Sequence, residues 1–216
     1  MLNSGQYTHA FFDCDGVILN SNKVKSEAFA LALEGESPEL VRKFVQYHQK
    51  NGGISRFVKF EYFFKHIKKQ LNYKKDLALA IDNYAQLSFQ GLLACTEIMG
   101  VRGILKGFNK QHTFCFVVSG GEQEEVRAVL LKRDFSSYFY GIYGSPANKQ
   151  THLLNIGRHF NISKGIYFGD AKSDYEAARA FDMDFIYIYG ASEWADGIKF
   201  CQENDIAMYK DFTEFE

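Results

Sequence analysis

Hydrophobic positions follow two spacings along this chain, and the change between them predicts its layout. The apolar run at 10–12 has the length and the β-propensity of a strand. Between 22 and 94, apolar residues instead recur every three or four positions, which predicts a series of helices. These helices are expected at 22–33, from Pro38 to a stop at Asn51, at 55–71 and at 75–94.

Beyond a short helix expected at 101–108, apolar runs alternate with amphipathic segments. The apolar runs predict strands at 113–118, 140–143, 165–168 and 185–189. The segments between them predict helices at 122–133, 149–160 and 173–181, with one helix and one short strand in the tail. Five strands joined by helices predict an α/β fold, a doubly wound parallel five-stranded Rossmann-like sheet.

The connection between the first two strands is far longer than the fold requires. Asp13 and Ser119 lie 106 positions apart, whereas a helical crossover between parallel strands needs only about a dozen residues. The surplus is helical and is expected to form an inserted α-helical cap domain, residues 21–96, on a core domain of residues 1–20 and 97–216. Inserted just after the first strand, the cap would cover the carboxyl edge of the sheet as a lid.

Charge and composition exclude several kinds of partner. The chain has 25 Lys and Arg against 26 Asp and Glu, and no run of five like charges, so neither nucleic acid nor a membrane surface is an expected partner. The four scattered cysteines predict free thiols. Without an apolar leader or an apolar stretch of ~20 residues, the chain is expected to be a cytoplasmic protein that binds a small molecule.

The candidate chemistry lies where the predicted strands end. Asp13 and Asp15 follow the first strand, although Asp and Gly are also common in ordinary surface turns. In a parallel sheet the other strand ends, with Ser119, Lys149 and Asp170, emerge at the same edge.

Such a collection of charges predicts a metal and an anion at the same edge. Asp13, Asp15, Asp170 and Asp174 need a positive charge among them, and oxygen ligands of this kind favour Mg²⁺. Lys149 and the amides of Gly120 and Gly121, expected at a helix start, suit phosphate oxygens. The combination suggests phosphoryl transfer.

Four short motifs carry a resemblance to a known family. They are Asp13-Cys14-Asp15-Gly16-Val17, Val117-Val118-Ser119-Gly120, Lys149, and Gly169-Asp170 with Asp174 four residues on. In this order they resemble the haloacid dehalogenase superfamily of phosphohydrolases, in particular its phosphoglycolate phosphatase and β-phosphoglucomutase branch with a helical cap. The resemblance covers essentially the whole chain.

The resemblance implies a catalytic role for each motif. Asp13 would attack phosphorus to form an aspartyl-phosphate, and Lys149 would keep it ionised. Asp15 would give a proton to the leaving oxygen and then take one from water, so its useful pKa would lie above the ~3.9 of a free Asp. Ser119 and Gly120 would hold the phosphoryl oxygens.

The same resemblance implies the metal ligands. Mg²⁺ would be bound by Asp13, Asp170 and the backbone carbonyl of Asp15. Asp174 would either join the metal through water or orient Lys149. Simpler interpretations remain open, because Ser119 could merely cap a helix and Asp174 could merely favour a helix dipole.

Two positions leave further alternatives. Lys149 follows Pro146, whereas many relatives place the lysine before the proline, and Lys164 and Lys172 are competing candidates. In the cap, Arg56 follows a Gly pair and could bind a carboxylate or hydroxyls of the substrate. It could equally be a solvated residue in the first turn of a helix.

The predicted function is a Mg²⁺-dependent phosphomonoester hydrolase, a phosphatase acting on a small phosphorylated metabolite, with a sugar phosphate as the favoured class. A sugar-phosphate mutase using the same Asp13 is one alternative. A non-catalytic sugar-phosphate binding or regulatory protein of the same fold is another. The expected assembly is a monomer or a weak homodimer.

Overall fold

A parallel sheet of six strands forms the centre of the computed structural model, which describes residues 6–215. The strands are β1 (His9–Phe12), β2 (Phe114–Glu122), β3 (Gly141–Ser145), β4 (Gly165–Gly169), β5 (Asp184–Ile188) and β6 (Met208–Tyr209). Their order is β3-β2-β1-β4-β5-β6, and all the pairs are parallel. The α/β class and the parallel sheet are therefore confirmed. The predicted count of five is wrong by one, because the short tail strand pairs with β5.

Hydrophobic side chains alternate between the two faces of the sheet. Phe12 packs on one face, with its ring centroid 4.8 Å from that of Phe168. Phe11 packs on the other face, 6.2 Å from the ring of Tyr167. Both faces are thus covered, which is why every residue of β1 is buried.

Nine regular α-helices are found among residues 6–215. They are α1 (Asn22–Leu31), α2 (Pro38–Lys50), α3 (Arg56–Tyr62), α4 (Lys74–Ala94), α5 (Val101–Lys110), α6 (Gln123–Lys132), α7 (Lys149–His159), α8 (Lys172–Ala180) and α9 (Gly197–Glu203). The predicted helix at 55–71 is shorter than expected, because α3 ends at Tyr62 and a π-helical turn, Phe63–Ile67, follows. The adjacent rings of Phe63 and Phe64 are both buried there.

Helices α1 to α4, which come between β1 and β2 in the sequence, form a hydrophobic cluster of their own. Its buried members all come from residues 28–84, separate from the two clusters on the sheet. The ring of Phe29 lies at the centre, with centroids 5.5 Å from Phe44, 5.2 Å from Phe60 and 4.1 Å from Tyr84. A cluster of this size is what a separate helical unit needs, and the cap limits at 21 and 96 stay a prediction.

The two chain segments that join this helical unit to the sheet run side by side. Leu19 and Glu97 form an antiparallel bridge. The amide of Asn20 donates to the carbonyl of Thr96 at 2.9 Å, and the amide of Ile98 donates to that of Ile18 at 3.0 Å. The helical unit therefore enters and leaves the core at one place.

Two other sequence-based expectations can be compared with the structure. All four cysteines are free, as predicted. Among residues 6–215, no helix is both long enough and apolar enough to cross a membrane.

Candidate active site

The buried strands bring the predicted residues together at the carboxyl edge of the sheet. Asp13 directly follows β1 and Asp170 directly follows β4, while Lys149 begins α7 just beyond β3. The Lys149 Nζ lies 2.9 Å from Asp13 Oδ2 and also contacts Asp174 Oδ1. All four side chains are buried. The predicted meeting of strand ends is thus observed, and Lys149, rather than Lys164 or Lys172, contacts Asp13.

Asp13 is held by donors on both of its carboxylate oxygens. Its Oδ1 accepts from the Cys14 amide at 2.7 Å, and its Oδ2 accepts from Lys149. The residue is 2% exposed and borders the cavity described below. These two contacts fix the orientation of a carboxylate that borders the cavity.

Lys149 and Asp174 form a buried ion pair next to Asp13. Burial alone would lower the pKa of Lys149, but the charges of Asp13 and Asp174 outweigh it and hold this pKa well above its usual value. Burial raises the pKa of Asp174 to about 6, against the lowering effect of Lys149. The contact with Asp174 Oδ1 holds the Lys149 Nζ beside Asp13.

Three carboxylates lie close enough to share a cation. One oxygen each from Asp13, Asp170 and Asp174 fall within 4.8 Å of one another. Burial and the charges of Asp13 and Asp174 raise the pKa of Asp170 well above its usual value, a repulsion that a cation between these groups would relieve. A donor set made only of carboxylate oxygens fits Mg²⁺.

The surroundings separate the roles of these carboxylates. Both oxygens of Asp174 are engaged, one by Lys149 and the other by the amides of Ala171 at 3.1 Å and Asp170 at 3.3 Å. This favours the orienting role of Asp174 over direct ligation.

Asp170 Oδ2 accepts from Asn22 Nδ2 at 2.5 Å. A Cβ at Gly16, whose φ is +72°, would lie 2.4 Å from the same oxygen, so only glycine fits there.

Asp15 differs from the sequence-based expectation. Its side chain lies outside the three-carboxylate cluster of Asp13, Asp170 and Asp174, and its oxygens accept from Ser21 Oγ at 2.6 Å and Lys25 Nζ at 2.5 Å. Burial alone would raise the pKa of Asp15, but Lys25 and Ser21 outweigh it, so this pKa is lowered. The expected upward shift is therefore wrong here, because a helix cation that the sequence did not single out pairs with the acid.

Ser119 and Gly120 lie within β2 rather than at a helix start, which corrects the prediction for this motif. Helix α6 begins at Gln123 and is capped by the carboxylate of Glu122, so Ser119 is not its cap. Ser119 is buried, and its Oγ accepts from the Gly121 amide at 3.1 Å.

The predicted substrate-binding role of Arg56 meets a different environment in the structure. Arg56 is 5% exposed, so the interpretation as a solvated residue is wrong. Its guanidinium contacts the carboxylate of Glu125 on α6 and lies 4.7 Å from the ring centroid of Tyr84. Arg56 borders the cavity, but its charge is already compensated by a core residue.

A cavity of about 330 Å³ opens between the helical unit and the carboxyl edge of the sheet. Asp13, Asp15, Asp170 and Gly120 border it from the sheet side. From the helices come three side chains that lie outside the predicted motifs: Lys25, His48 and Lys59. A signal for them exists in the sequence, because Lys25 lies four residues before Phe29 and Lys59 four before Phe63, on stripes that are otherwise apolar.

Comparison with known proteins agrees with this geometry. Residues 10–188 match a family model described as haloacid dehalogenase-like hydrolase. No protein among the curated sequences matches this chain.

Several solved structures share the fold. A predicted phosphoglycolate phosphatase from Haemophilus somnus 129PT superposes with a TM-score of 0.76 at 16% identity, over 97% of this chain and 96% of its own. A predicted phosphatase from Clostridium acetobutylicum gives 0.70 at 16%, over 94% and 93%. The proposed HAD-hydrolase YfnB from Bacillus subtilis, bound to magnesium, gives 0.63 at 17%, over 84% and 88%. With the family model matching most of its length, the chain belongs to the haloacid dehalogenase-like hydrolases.

Proposed function

We propose that this hydrolase is a Mg²⁺-dependent phosphatase that cleaves a small phosphorylated metabolite through an aspartyl-phosphate on Asp13. The observation that carries the proposal is the position of Asp13, which borders the cavity 2.9 Å from the Lys149 ammonium and beside Asp170. Several of the solved structures with this fold are themselves described as phosphatases.

The residues supply a balanced two-step reaction. An oxygen of Asp13 forms a bond to phosphorus while the bond to the substrate oxygen breaks, and the departing oxygen takes a proton from Asp15. Water then attacks the same phosphorus, gives its proton to Asp15 and releases inorganic phosphate and free Asp13. Asp13 and Asp170 would hold Mg²⁺, with the backbone carbonyl of Asp15, and the ion would supply positive charge opposite the phosphoryl oxygens.

Lys25 favours the form of Asp15 that the second step needs rather than the form that begins the first step. Its ammonium holds Asp15 as a carboxylate, the form that takes the proton of the attacking water. Asp15 must be protonated before it can donate to the departing oxygen, so its contact with Lys25 has to loosen when substrate binds.

The size of the cavity limits the substrate. A volume of about 330 Å³ is at the small end of ligand sites, which supports a small phosphorylated metabolite, with a sugar phosphate as the favoured class. The near-neutral net charge of −1 supports a small molecule over nucleic acid, and the free cysteines support a cytoplasmic location. A monomer or weak homodimer remains part of this proposal.

The deciding measurement is phosphate release from a panel of phosphomonoesters, with Mg²⁺ and with a chelator. We expect release that requires Mg²⁺ and that falls at least ~10³-fold in Asp13→Asn. Asp82→Asn, an exposed position on α4, is the matched control and should retain the wild-type rate. Isomerisation of a sugar phosphate without phosphate release would replace the phosphatase by a mutase, and wild-type biological activity in Asp13→Asn would leave only binding.

A further inference from the structure

Three buried cationic side chains border the cavity from the helical unit. Lys25 lies on α1, and Arg56 and Lys59 lie on α3, with exposed fractions of 7%, 5% and 2%. Two of them have carboxylate partners, since Lys25 pairs with Asp15 and Arg56 pairs with Glu125. Lys59 has no ion-pair partner among residues 6–215.

Lys59 has a single polar contact within the described part of the chain. Its Nζ lies 2.7 Å from Nδ1 of His48, and it stands 5.4 Å from the ring centroid of Phe29. A buried ammonium without an opposite charge is costly to a fold unless something compensates it. The compensating group is therefore to be sought in the cavity that Lys59 borders.

His48 adds a second donor beside Lys59. A protonated Lys59 donates to Nδ1, so the proton of the neutral imidazole lies on Nε2. This Nε2 is buried and has no hydrogen-bond partner in the described residues. The pKa of His48 is lowered to about 2 by burial and by the charges of Lys59 and Lys25, which keeps the ring neutral. The Nε2 proton of His48 and the remaining protons of the Lys59 ammonium thus have no acceptor among residues 6–215.

The one acid within 4 Å of His48 Nε2 among residues 6–215 does not serve these donors. Glu193 Oε2 lies 3.8 Å from His48 Nε2, beyond hydrogen-bond distance. The Glu193 carboxylate instead accepts from Ser26 Oγ at 2.9 and 2.8 Å and from Gln49 Nε2 at 3.3 Å. Its role is to tie two cap helices to the loop after β5.

We propose that Lys59 and His48 bind a second anionic group of the substrate, a carboxylate or a second phosphate, distinct from the phosphate that Asp13 attacks. This inference rests on the proposed function and narrows its substrate class to phosphomonoesters with two anionic groups. A neutral hydroxyl would satisfy a hydrogen bond but would leave the Lys59 charge uncompensated. Burial and the nearby charge of Lys25 lower the pKa of Lys59 to about 7, which a bound anion would reverse.

The test measures binding, so it does not require turnover. The probes are two matched pairs, 3-phosphonopropionate with propylphosphonate and 4-phosphonobutyrate with butylphosphonate, titrated calorimetrically into the full chain in Mg²⁺. Within a pair only the distal carboxylate differs. We expect wild-type protein to bind the carboxylate member of at least one pair ~10-fold or more tightly than its alkyl partner.

The variant for this test is Lys59→Met, which keeps an unbranched side chain, one atom shorter, and removes its charge. The preference should fall below about threefold in this variant and persist in the control Lys65→Met, whose side chain is solvent-exposed and pairs with Glu61. His48→Gln should weaken the preference as well and serves if Lys59→Met does not fold. Propane-1,3-diphosphonate, with a phosphonate in place of the carboxylate of 4-phosphonobutyrate, shows which anion is preferred.

Two results would overturn the subsite: no preference for an anionic member in wild-type protein, or a preference that survives in Lys59→Met. These outcomes are independent of the proposed function. A Lys59-dependent preference without phosphate release from any ester would retain the subsite and reject the phosphatase. Phosphate release without such a preference would retain the phosphatase and reject the subsite.

Discussion

Lys59 is a buried charge without an ion-pair partner among residues 6–215, so we expect it to lower the free energy of unfolding. Such a destabilising side chain is typical of one retained for function. Lys59→Met should raise the free energy of unfolding at pH 7 by ~1–4 kcal/mol while weakening substrate binding. The pKa of Lys59 is depressed in the folded state, so its cost exists only where the unfolded chain is protonated, and the gain should shrink as pH rises towards 10.5. Chemical denaturation at several pH values measures this, with Lys65→Met expected to change little. A less stable Lys59→Met would show that the ammonium is compensated within the protein.

The same group predicts how recognition depends on pH. Because the pKa of Lys59 is lowered to about 7, by burial first, its positive charge is present below that pH and is lost above it. The preference for 4-phosphonobutyrate over butylphosphonate should therefore fall as pH rises from 6 to 8, by at most ~10-fold per unit above 7. The charged and titratable groups that act on Lys59 are Asp15, Lys25, His48, Lys149 and Glu193. Calorimetry of the matched pair cancels the titration of the shared phosphonate, and a flat ratio would contradict the prediction.

Single residues also show where sequence reasoning succeeds. Asp13, Lys149 and Asp170 could be predicted because each follows a buried strand, and parallel strands end at one edge. Lys25 and Lys59 carry only the weak signal of a lysine on an apolar stripe, since a lysine in a helix is by default solvent-exposed. Their burial depends on the docking of the helices over the sheet, which the sequence pattern does not describe.

At the scale of elements, cap and core approach each other closely at Gly120 in β2. A Cβ there would stand 2.1 Å from the carbonyl oxygen of Gly53, in the loop between α2 and α3. Gly120→Ala should force this loop away, lowering stability by ~1–3 kcal/mol and kcat/KM by ~10–100-fold.

A matched glycine separates this contact from general effects of the substitution. Gly103 is exposed in α5, and a Cβ there meets no atom within 4 Å. Gly103→Ala should leave activity unchanged and stabilise the protein by ~0.5–1 kcal/mol. Thermal melts and phosphate release on both variants provide the comparison. Equal activity in the two variants would mean that the glycine contact does not position the loop.

The boundaries of elements were predictable where local residues decide them. Ser37 and Pro38 begin α2, and the Ser37 hydroxyl accepts from the Leu40 amide as the pattern predicts. The end of β2 could not be predicted, because it continues through two glycines to Glu122 only by pairing with β3 across a register shift. Such pairing is tertiary and leaves no mark on the periodicity of the chain.

At the scale of the whole molecule, a buried ion pair fastens the cap to the core. Arg56 on α3 contacts Glu125 on α6, and Ser88 Oγ on α4 donates to the same Glu125 oxygen at 3.1 Å. Arg56→Met would leave Glu125 buried without its counter-charge, at a cost of ~3–5 kcal/mol. Arg158→Met, at an exposed position on α7, should cost less than ~1 kcal/mol. Urea denaturation measures the free energy of unfolding of both variants. If Arg56→Met instead changed only the KM for phosphate release, Arg56 would be a substrate ligand.

The long insertion could be inferred from the 106 positions between Asp13 and Ser119, because no crossover requires that length. How the inserted helices rest on the sheet could not. That arrangement depends on pairs such as Arg56 with Glu125 and Ser26 with Glu193, which join residues 69 and 167 positions apart. Nothing in the sequence distinguishes either partner from an ordinary polar residue, so the pairing can be recognised only in the folded structure.

The paired segments at Leu19 and Glu97 have a consequence for engineering. Since the two ends of the insertion are already hydrogen-bonded neighbours, a short turn could join residue 20 to residue 96 without stretching either one. The helical unit could therefore be exchanged for a different inserted helical unit. In such a chimera the nucleophile, its lysine and the metal carboxylates would stay with the recipient, while Lys25, His48 and Lys59 would leave with the excised piece.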